Sequence, residues 1–331
     1  MLREGKPIKG WIFVMALTLM LLGAGPAAGV SAAEAVEAKD TAIKLDGETI
    51  KLSASPLMLD GRVYVPASRL AELLGAKSSW DNDNEELTIH SALGDKVVLG
   101  NGVPVVYFNG GRYVLDAAPF LTEGRLYVPL RHLAEMLHAT VKVDSEKGIV
   151  ELQTVPAATV TEEYSLDAIV KETGSSQAAL LKRNGLKTKD AVKSGAKLKV
   201  VLPAVLGNEA KPYTEEDLTL LAKITMVESG YESYQGQLAI ANVILNRVKS
   251  DKFPDTIREV IYSGKQFPPA HNGLLDKSKP NASVLRAAKD ALNGKNNVGG
   301  AVYFFNPDVT KGSFWSGLDV VATIGSHSFA K

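Results

Sequence analysis

The sequence predicts a multidomain protein: an α+β domain built on an internal repeat, a small βααβ module, and a mainly helical C-terminal domain. Three observations predict it. One strand–proline–helix motif occurs twice between residues 41 and 153. A two-helix text between Thr161 and Pro203 is flanked by short extended runs. From Tyr213 onward, apolar residues recur at helical spacing. Linker-like stretches, the Pro/Ala/Thr-rich Val155–Val160 and then Leu206–Pro212, separate the three. A length of 331 residues suits two or three domains.

The chain opens as a targeting segment. Arg3, Lys6 and Lys9 precede an apolar run, Trp11 to Leu22, and Val30-Ser31-Ala32 forms a small-residue cleavage site. Residues 1–32 therefore read as a signal peptide, because the apolar run is short for a span of roughly 20 residues. After cleavage no membrane association is expected. The chain has no cysteine, which excludes disulfides, thiol nucleophiles and metal–thiolate sites together. Removing the leader takes three basic residues and one acid from the 37 of each, leaving 34 against 36. Such a balance is no nucleic-acid footprint and is compatible with an uncharged or weakly charged polymer.

In the repeated domain, residues 41–153, short alternating runs such as Ile43-Lys44-Leu45, Val63-Tyr64-Val65, Leu87-Thr88-Ile89, Val105-Val106-Tyr107 and Leu126-Tyr127-Val128 predict strands. Gly61-Arg62-Val63-Tyr64-Val65-Pro66 with Leu70-Ala71-Glu72-Leu73-Leu74 recurs as Gly124-Arg125-Leu126-Tyr127-Val128-Pro129 with Leu133-Ala134-Glu135-Met136-Leu137. Each unit predicts a strand, a proline that ends it, a short amphipathic helix and a hairpin. This paired motif resembles the copper amine oxidase N-terminal-like stalk domains of exported Gram-positive proteins, which implies a spacer or adhesion module. His90, His132 and His138 are scattered without ligand spacing, so neither copper nor any other metal or cofactor is expected.

In residues 161–203, helices are predicted over Leu166–Thr173 and Gln177–Arg183, with a closing strand over Leu198–Leu202. The run from Ala178 to Leu186, with Ser194-Gly195-Ala196-Lys197-Leu198, resembles a LysM module, which implies binding to N-acetylglucosamine-containing glycans. Glu162-Glu163-Tyr164 replaces the family's early Gly-Asp.

The C-terminal domain, residues 213–331, opens with Thr214 as N-cap, Asp217 completing a capping-box variant, and Tyr213 and Leu218 placed as a hydrophobic staple. Ser229-Gly230-Tyr231 breaks that helix, since glycine adopts angles other residues avoid. The nearly all-apolar run Leu238 to Val248 predicts a buried second helix. Further helices are expected over Asp255–Tyr262, with Asp255 as cap, and Asn281–Asn293, stopped by Gly294. Glu228 thus stands at the exit of one helix against a buried second one, where desolvation favours its protonated form. That suits a general acid.

The run from Glu228 to Gln237, then Ala241-Asn242-Val243-Ile244-Leu245-Asn246-Arg247-Val248, Lys265-Gln266-Phe267, Tyr303-Phe304-Phe305-Asn306-Pro307 and Ile324-Gly325-Ser326-His327-Ser328-Phe329, resembles the cell wall hydrolases of the spore cortex-lytic type (SleB/CwlJ family). Gly230 stands where that family usually has Arg. The resemblance implies a lysozyme-like helical fold, peptidoglycan glycan strands as partner and substrate, lytic transglycosylase chemistry, and Glu228 as the catalytic acid. As substrate-binding residues it suggests Glu232, Tyr234, Gln237, Gln266, Phe267, Tyr303, Asn306 and His327. Bland alternatives stand beside several of these. Gln237 either bridges helices or touches sugar, Phe267 is either core or groove, and His327 is either structural or a catalytic partner. A water-using muramidase or glucosaminidase, and a non-catalytic wall-binding protein, remain the rival functions.

Overall fold

A computed structural model describes residues 35–264 and 266–331; the expected signal peptide lies outside the described residues. The motif that repeats in sequence also repeats in space. Strand Arg62–Pro66 pairs antiparallel with strand Arg125–Pro129, matching Val65 to Val128, Pro66 to Tyr127 and Tyr64 to Pro129. Equivalent positions thus exchange across a local two-fold axis through the valine pair. Each strand is entered by a tight two-residue turn, Asp60-Gly61 or Glu123-Gly124, in which all four residues have φ between 48° and 73°. That geometry is the type I′ hairpin turn, where glycine carries no Cβ penalty. Pro66 and Pro129 occupy the N-cap positions of helices α1 (Ala67–Leu73) and α2 (Leu130–Met136). Each helix leads into a hairpin. Lys77–Asp81 and Glu86–His90 continue a five-stranded antiparallel sheet with Lys96–Gly100, Val105–Phe108 and Gly111–Val114. Ala139–Asp144 and Ile149–Thr154 instead join Ala42–Leu45 and Glu48–Thr49 in a four-stranded sheet. Leu70, Leu133, Leu87, Ile89, Val128 and Leu152 form the common core.

Beyond residue 155, strand Ala158–Thr159, helices α3 (Leu166–Thr173) and α4 (Gln177–Arg183) and strand Lys197–Leu198 follow in βααβ order. Ser165 and Ser176 cap the two helices. The closing strand is shorter than Leu198–Leu202 because its next amides turn to side chains. Lys199 N–H donates to Asn184 Oδ1 at 2.7 Å, and Val200 and Val201 N–H donate to His138 Nε2 at 2.7 and 3.1 Å. Arg183 and Asp95, whose side chains are fully buried, form a bidentate ion pair at 2.9 and 2.8 Å. These contacts seat the module against the repeated domain, and the described residues belong to one compact unit.

The remaining chain supplies α5 (Glu215–Ser229), α6 (Tyr234–Val248), α7 (Ile257–Tyr262), α8 (Leu274–Lys277), α9 (Ala282–Leu292) and α10 (Ser313–Ser316). Thr214 and Asp217 form a full capping box on α5. The α7 cap is Thr256, whose hydroxyl accepts from Glu259 N–H, rather than Asp255. Asn281 caps α9, and Gly294 follows its end at φ 90°. α6 is buried almost all round, from Gly236 to Ile244. A three-stranded antiparallel sheet, with His327–Ala330 between Tyr303–Phe305 and Val320–Ile324, closes the domain. Among the described residues, no helix is long and apolar enough to cross a membrane.

Candidate active site

Glu228 sits in the last turn of α5, where the helix's free carbonyls disfavour a negative charge. It is partly buried, and burial raises its carboxyl pKa; the Arg247 guanidinium opposes that rise without cancelling it. No protein hydrogen bond to its carboxylate occurs among the described residues. A raised, unengaged carboxyl is what proton donation to a leaving group requires.

Gly230 ends α5 for a different reason than expected. Its backbone is right-handed, φ −58° and ψ −23°, so conformational freedom is not used. Space is: a Cβ there would stand 2.4 Å from the Met226 carbonyl oxygen and 2.6 Å from its Sδ. Next to it, Tyr231 is fully exposed.

Glu232 is held, not free. Its Oε1 accepts from Ser326 Oγ at 2.7 Å and lies 2.9 Å from His327 Nδ1. Its Oε2 is buried without a partner. Glycines on two sides make room for the carboxylate: a Cβ on Gly236 or Gly325 would fall 2.7 or 2.4 Å from Oε2. Gly325 also opens the two-residue turn before His327 at φ 60°. The His327 ring stands edge-on to Phe304, centroids 5.7 Å apart. The C-terminal hairpin therefore reaches back to the loop between the two glutamates and pins it.

Gln237 pins the same loop from α6. Its Nε2 donates to the Glu232 carbonyl at 2.9 Å and contacts that of Gly230 at 3.4 Å, while Oε1 accepts from Ser283 Oγ at 2.6 Å. Its amide is thus engaged by protein. Tyr234 is engaged elsewhere: its hydroxyl donates to Asp290 on α9 at 2.5 Å, and Arg286 lies over its ring at 4.2 Å. Phe267 is fully buried in the helical core, stacked on Phe304. Gln266 is exposed. Tyr303 is half-buried and meets Phe314 edge-on at 5.6 Å. Asn306 folds its own loop, its Oδ1 accepting from Asp308 N–H at 2.9 Å. The structure thus gathers Glu232, Gln237 and His327 around one loop that begins at Glu228. It places Tyr234 and Phe267 in packing roles.

One residue was not singled out from sequence. Arg247 lies on α6, buried between the Phe253 and Phe267 rings at 5.1 and 5.3 Å. Its Nε donates to the Val302 carbonyl at 2.8 Å and its Nη1 is buried without a partner. Burial lowers its pKa to about 10, against the opposing influence of Tyr303 and Glu228. The one charge in the otherwise uncharged run Ala239 to Val248 was the available signal. Among the described residues, no group of three or more His, Asp or Glu side chains is placed to hold a metal ion.

Comparison with known proteins agrees with this layout. Residues 231–330 match the Cell Wall Hydrolase family model, beginning three residues after Glu228, and residues 44–152 match the copper amine oxidase N-terminal domain. The chain therefore carries a cell wall hydrolase domain behind a copper amine oxidase N-terminal-like domain. More particularly, it is similar to the spore cortex-lytic enzymes of Oceanobacillus iheyensis (38% identity over 125 residues, 38% of this chain and 45% of the relative) and Halalkalibacterium halodurans (41% over 118 residues, 35% of each). The matches span less than half the length of these curated relatives. Among solved structures, the catalytic domain of the germination-specific lytic transglycosylase SleB from Bacillus anthracis is 36% identical. That match covers 37% of this chain and 98% of the SleB domain, at a TM-score of 0.35.

Proposed function

We propose that the protein is an exported peptidoglycan-degrading enzyme that cleaves the glycan strand between N-acetylmuramic acid and N-acetylglucosamine as a lytic transglycosylase, with Glu228 as its single acid and base. The observation that carries the assignment is the contrast between the two glutamates. Glu228 is desolvated, raised in pKa and unengaged, whereas Glu232 is held by Ser326 and His327. Protonated Glu228 gives its proton to the glycosidic oxygen as the C1–O bond breaks. The C6 hydroxyl oxygen of the same muramic acid then bonds to C1 and returns its proton to Glu228. The product is a 1,6-anhydro sugar, and no water is consumed. Glu232 positions the loop or the sugar rather than supplying a second acid.

The βααβ module adds glycan binding to this reading. A cavity of about 460 Å³ opens between the start of α3 with the residues before it, 160–167, and segment 189–194, bordered by Glu162, Ser165, Asp167 and Lys193. Its mixed lining offers polar groups to sugar hydroxyls and apolar ones, from Val160, Leu166 and Val192, to sugar faces. The chain's similarity to spore cortex-lytic enzymes points to the spore cortex as the target.

Mass spectrometry of products released from purified peptidoglycan tests the chemistry. Muropeptides ending in anhydro-muramic acid, one water lighter than reducing-end products, are expected. Exclusively reducing ends would replace the transglycosylase with a hydrolase.

A further inference from the structure

We infer that the repeated β domain is a working part of the hydrolase unit, buttressing the loop that joins Glu228 to Glu232, rather than a spacer that carries it. The contact is built at both ends. The linker after residue 206 does not hang free: Val114 N–H donates to the Asn208 carbonyl at 2.7 Å, and Ala210 N–H to that of Arg112 at 2.9 Å. It therefore lies along the edge strand Gly111–Val114 and delivers Tyr213, just before α5, to the sheet, where its hydroxyl lies 3.2 Å from that of Tyr107. Arg112 then clamps the end of α9. Its Nε and Nη2 donate to Asn293 Oδ1 at 3.1 and 2.9 Å, its Nη1 donates to the Lys211 carbonyl at 2.8 Å, and its guanidinium lies 4.3 Å over the Tyr213 ring. The Gly294 backbone lies close against the Pro104 ring, since a Cβ there would fall 2.9 Å from Pro104 Cγ.

Charge complementarity argues that the two surfaces are made for each other. On the α9 side stand three cations, Arg286, Lys289 and Lys295, against one acid, Asp290. The β domain supplies what is missing. Glu85 lies 2.9 Å from Arg286, Glu86 pairs with Lys289 at 2.7 Å, and the Asn101 carbonyl accepts from Lys295 at 2.7 Å. Arg286 and Lys295 are mostly buried, so removing the acceptors on the β domain leaves desolvated charges short of partners.

The same residues also hold the residue that closes the loop, Tyr234. Arg286 and Lys295 both lie over the Tyr234 ring, at 4.2 and 5.0 Å, and Asp290 accepts a hydrogen bond from its hydroxyl. Tyr234 is the first residue of α6, two after Glu232. A path of direct contacts thus runs from Glu85 through Arg286 to Tyr234 and the turn that presents Glu232.

Hydrogen exchange on the full chain tests this without requiring turnover, so its outcome is independent of the chemistry assigned to Glu228. The charge reversal Glu86→Lys and the double Glu85→Gln/Glu86→Gln are expected to speed amide exchange at least tenfold in residues 229–237 as well as in α9, leaving α3 and α4 unchanged. Adding Lys289→Glu to Glu86→Lys should restore wild-type protection. Faster exchange confined to residues 83–87 and 286–295, or no rescue by the swapped pair, would overturn the inference.

Discussion

Replacing Arg183 by alanine tests how tightly the βααβ module is built into the rest of the chain. The side chain is buried on α4, and its Nη1 and Nη2 donate to Asp95 while its Nε donates to the Val201 carbonyl at 3.0 Å. Burial alone would raise the Asp95 pKa; hydrogen bonds from Arg183, Lys199 and Asn109 outweigh it and hold the carboxyl at about 2. Removing Arg183 leaves a buried carboxylate with only part of its compensation, a loss of about 3–5 kcal/mol. For a cooperative unit of roughly 300 residues, the unfolding entropy is about 0.6 kcal/mol/K, so the melting temperature should fall by about 5–8 °C. Differential scanning calorimetry of the full chain reads it directly. Because the folded Asp95 pKa is depressed, its contribution is present above pH 3.8 and is lost as pH falls toward about 2. A wild-type scan with a separate low-temperature transition for the module, or an Arg183→Ala scan matching wild type at neutral pH, would refute the reasoning.

Three further outcomes follow from the site and the module contact. Gly325→Ala puts a Cβ at φ 60° against the Glu232 carboxylate, so peptidoglycan turnover should drop at least tenfold, seen as turbidity loss in wall suspensions; unchanged turnover would exclude a role for the pinned loop. Arg247→Met keeps apolar bulk between the phenylalanine rings but removes the charge that lowers the Glu228 pKa. The acid then stays protonated to higher pH, and the alkaline limb of the kcat/KM profile should move upward; a downward shift would contradict the geometry. Burial lowers the His138 pKa and so favours the neutral ring, whose Nε2 accepts from Val200 and Val201. The unfolded ring protonates first as pH falls below 6.5, so this contribution fades from there down to the folded pKa; a His138→Gln chain should show a flatter stability profile between pH 7 and 5 in urea titrations.

Much of the layout was legible because its signals are local. The capping box of α5, the serines before α3 and α4, and Asn281 before α9 each sit within three residues of the amide they cap. The repeated strand–proline–helix motif announced two similar units, though not that their strands pair about the Val65–Val128 axis. What escaped is non-local. Asp95 and Arg183 lie 88 residues apart, and Glu86 and Lys289 lie 203 apart, so no window could join them and the linkers read only as separators. The hairpin Val320–Ile324 and His327–Ala330 escaped because its first strand is exposed and bulged, with little alternation. That omission hid the partner of Glu232. His327 was visible as a candidate, but its role as a brace on that carboxylate needed the turn at Gly325.

The central claim is that Glu228 alone carries the proton chemistry, and the most direct test is muropeptide release by Glu228→Gln on purified peptidoglycan. Glutamine keeps the size and removes the titratable proton, so release should fall by about 10²–10⁴-fold with the melting temperature preserved. Release within about threefold of wild type, or an equal collapse in Glu232→Gln with wild-type loop protection, would contradict it.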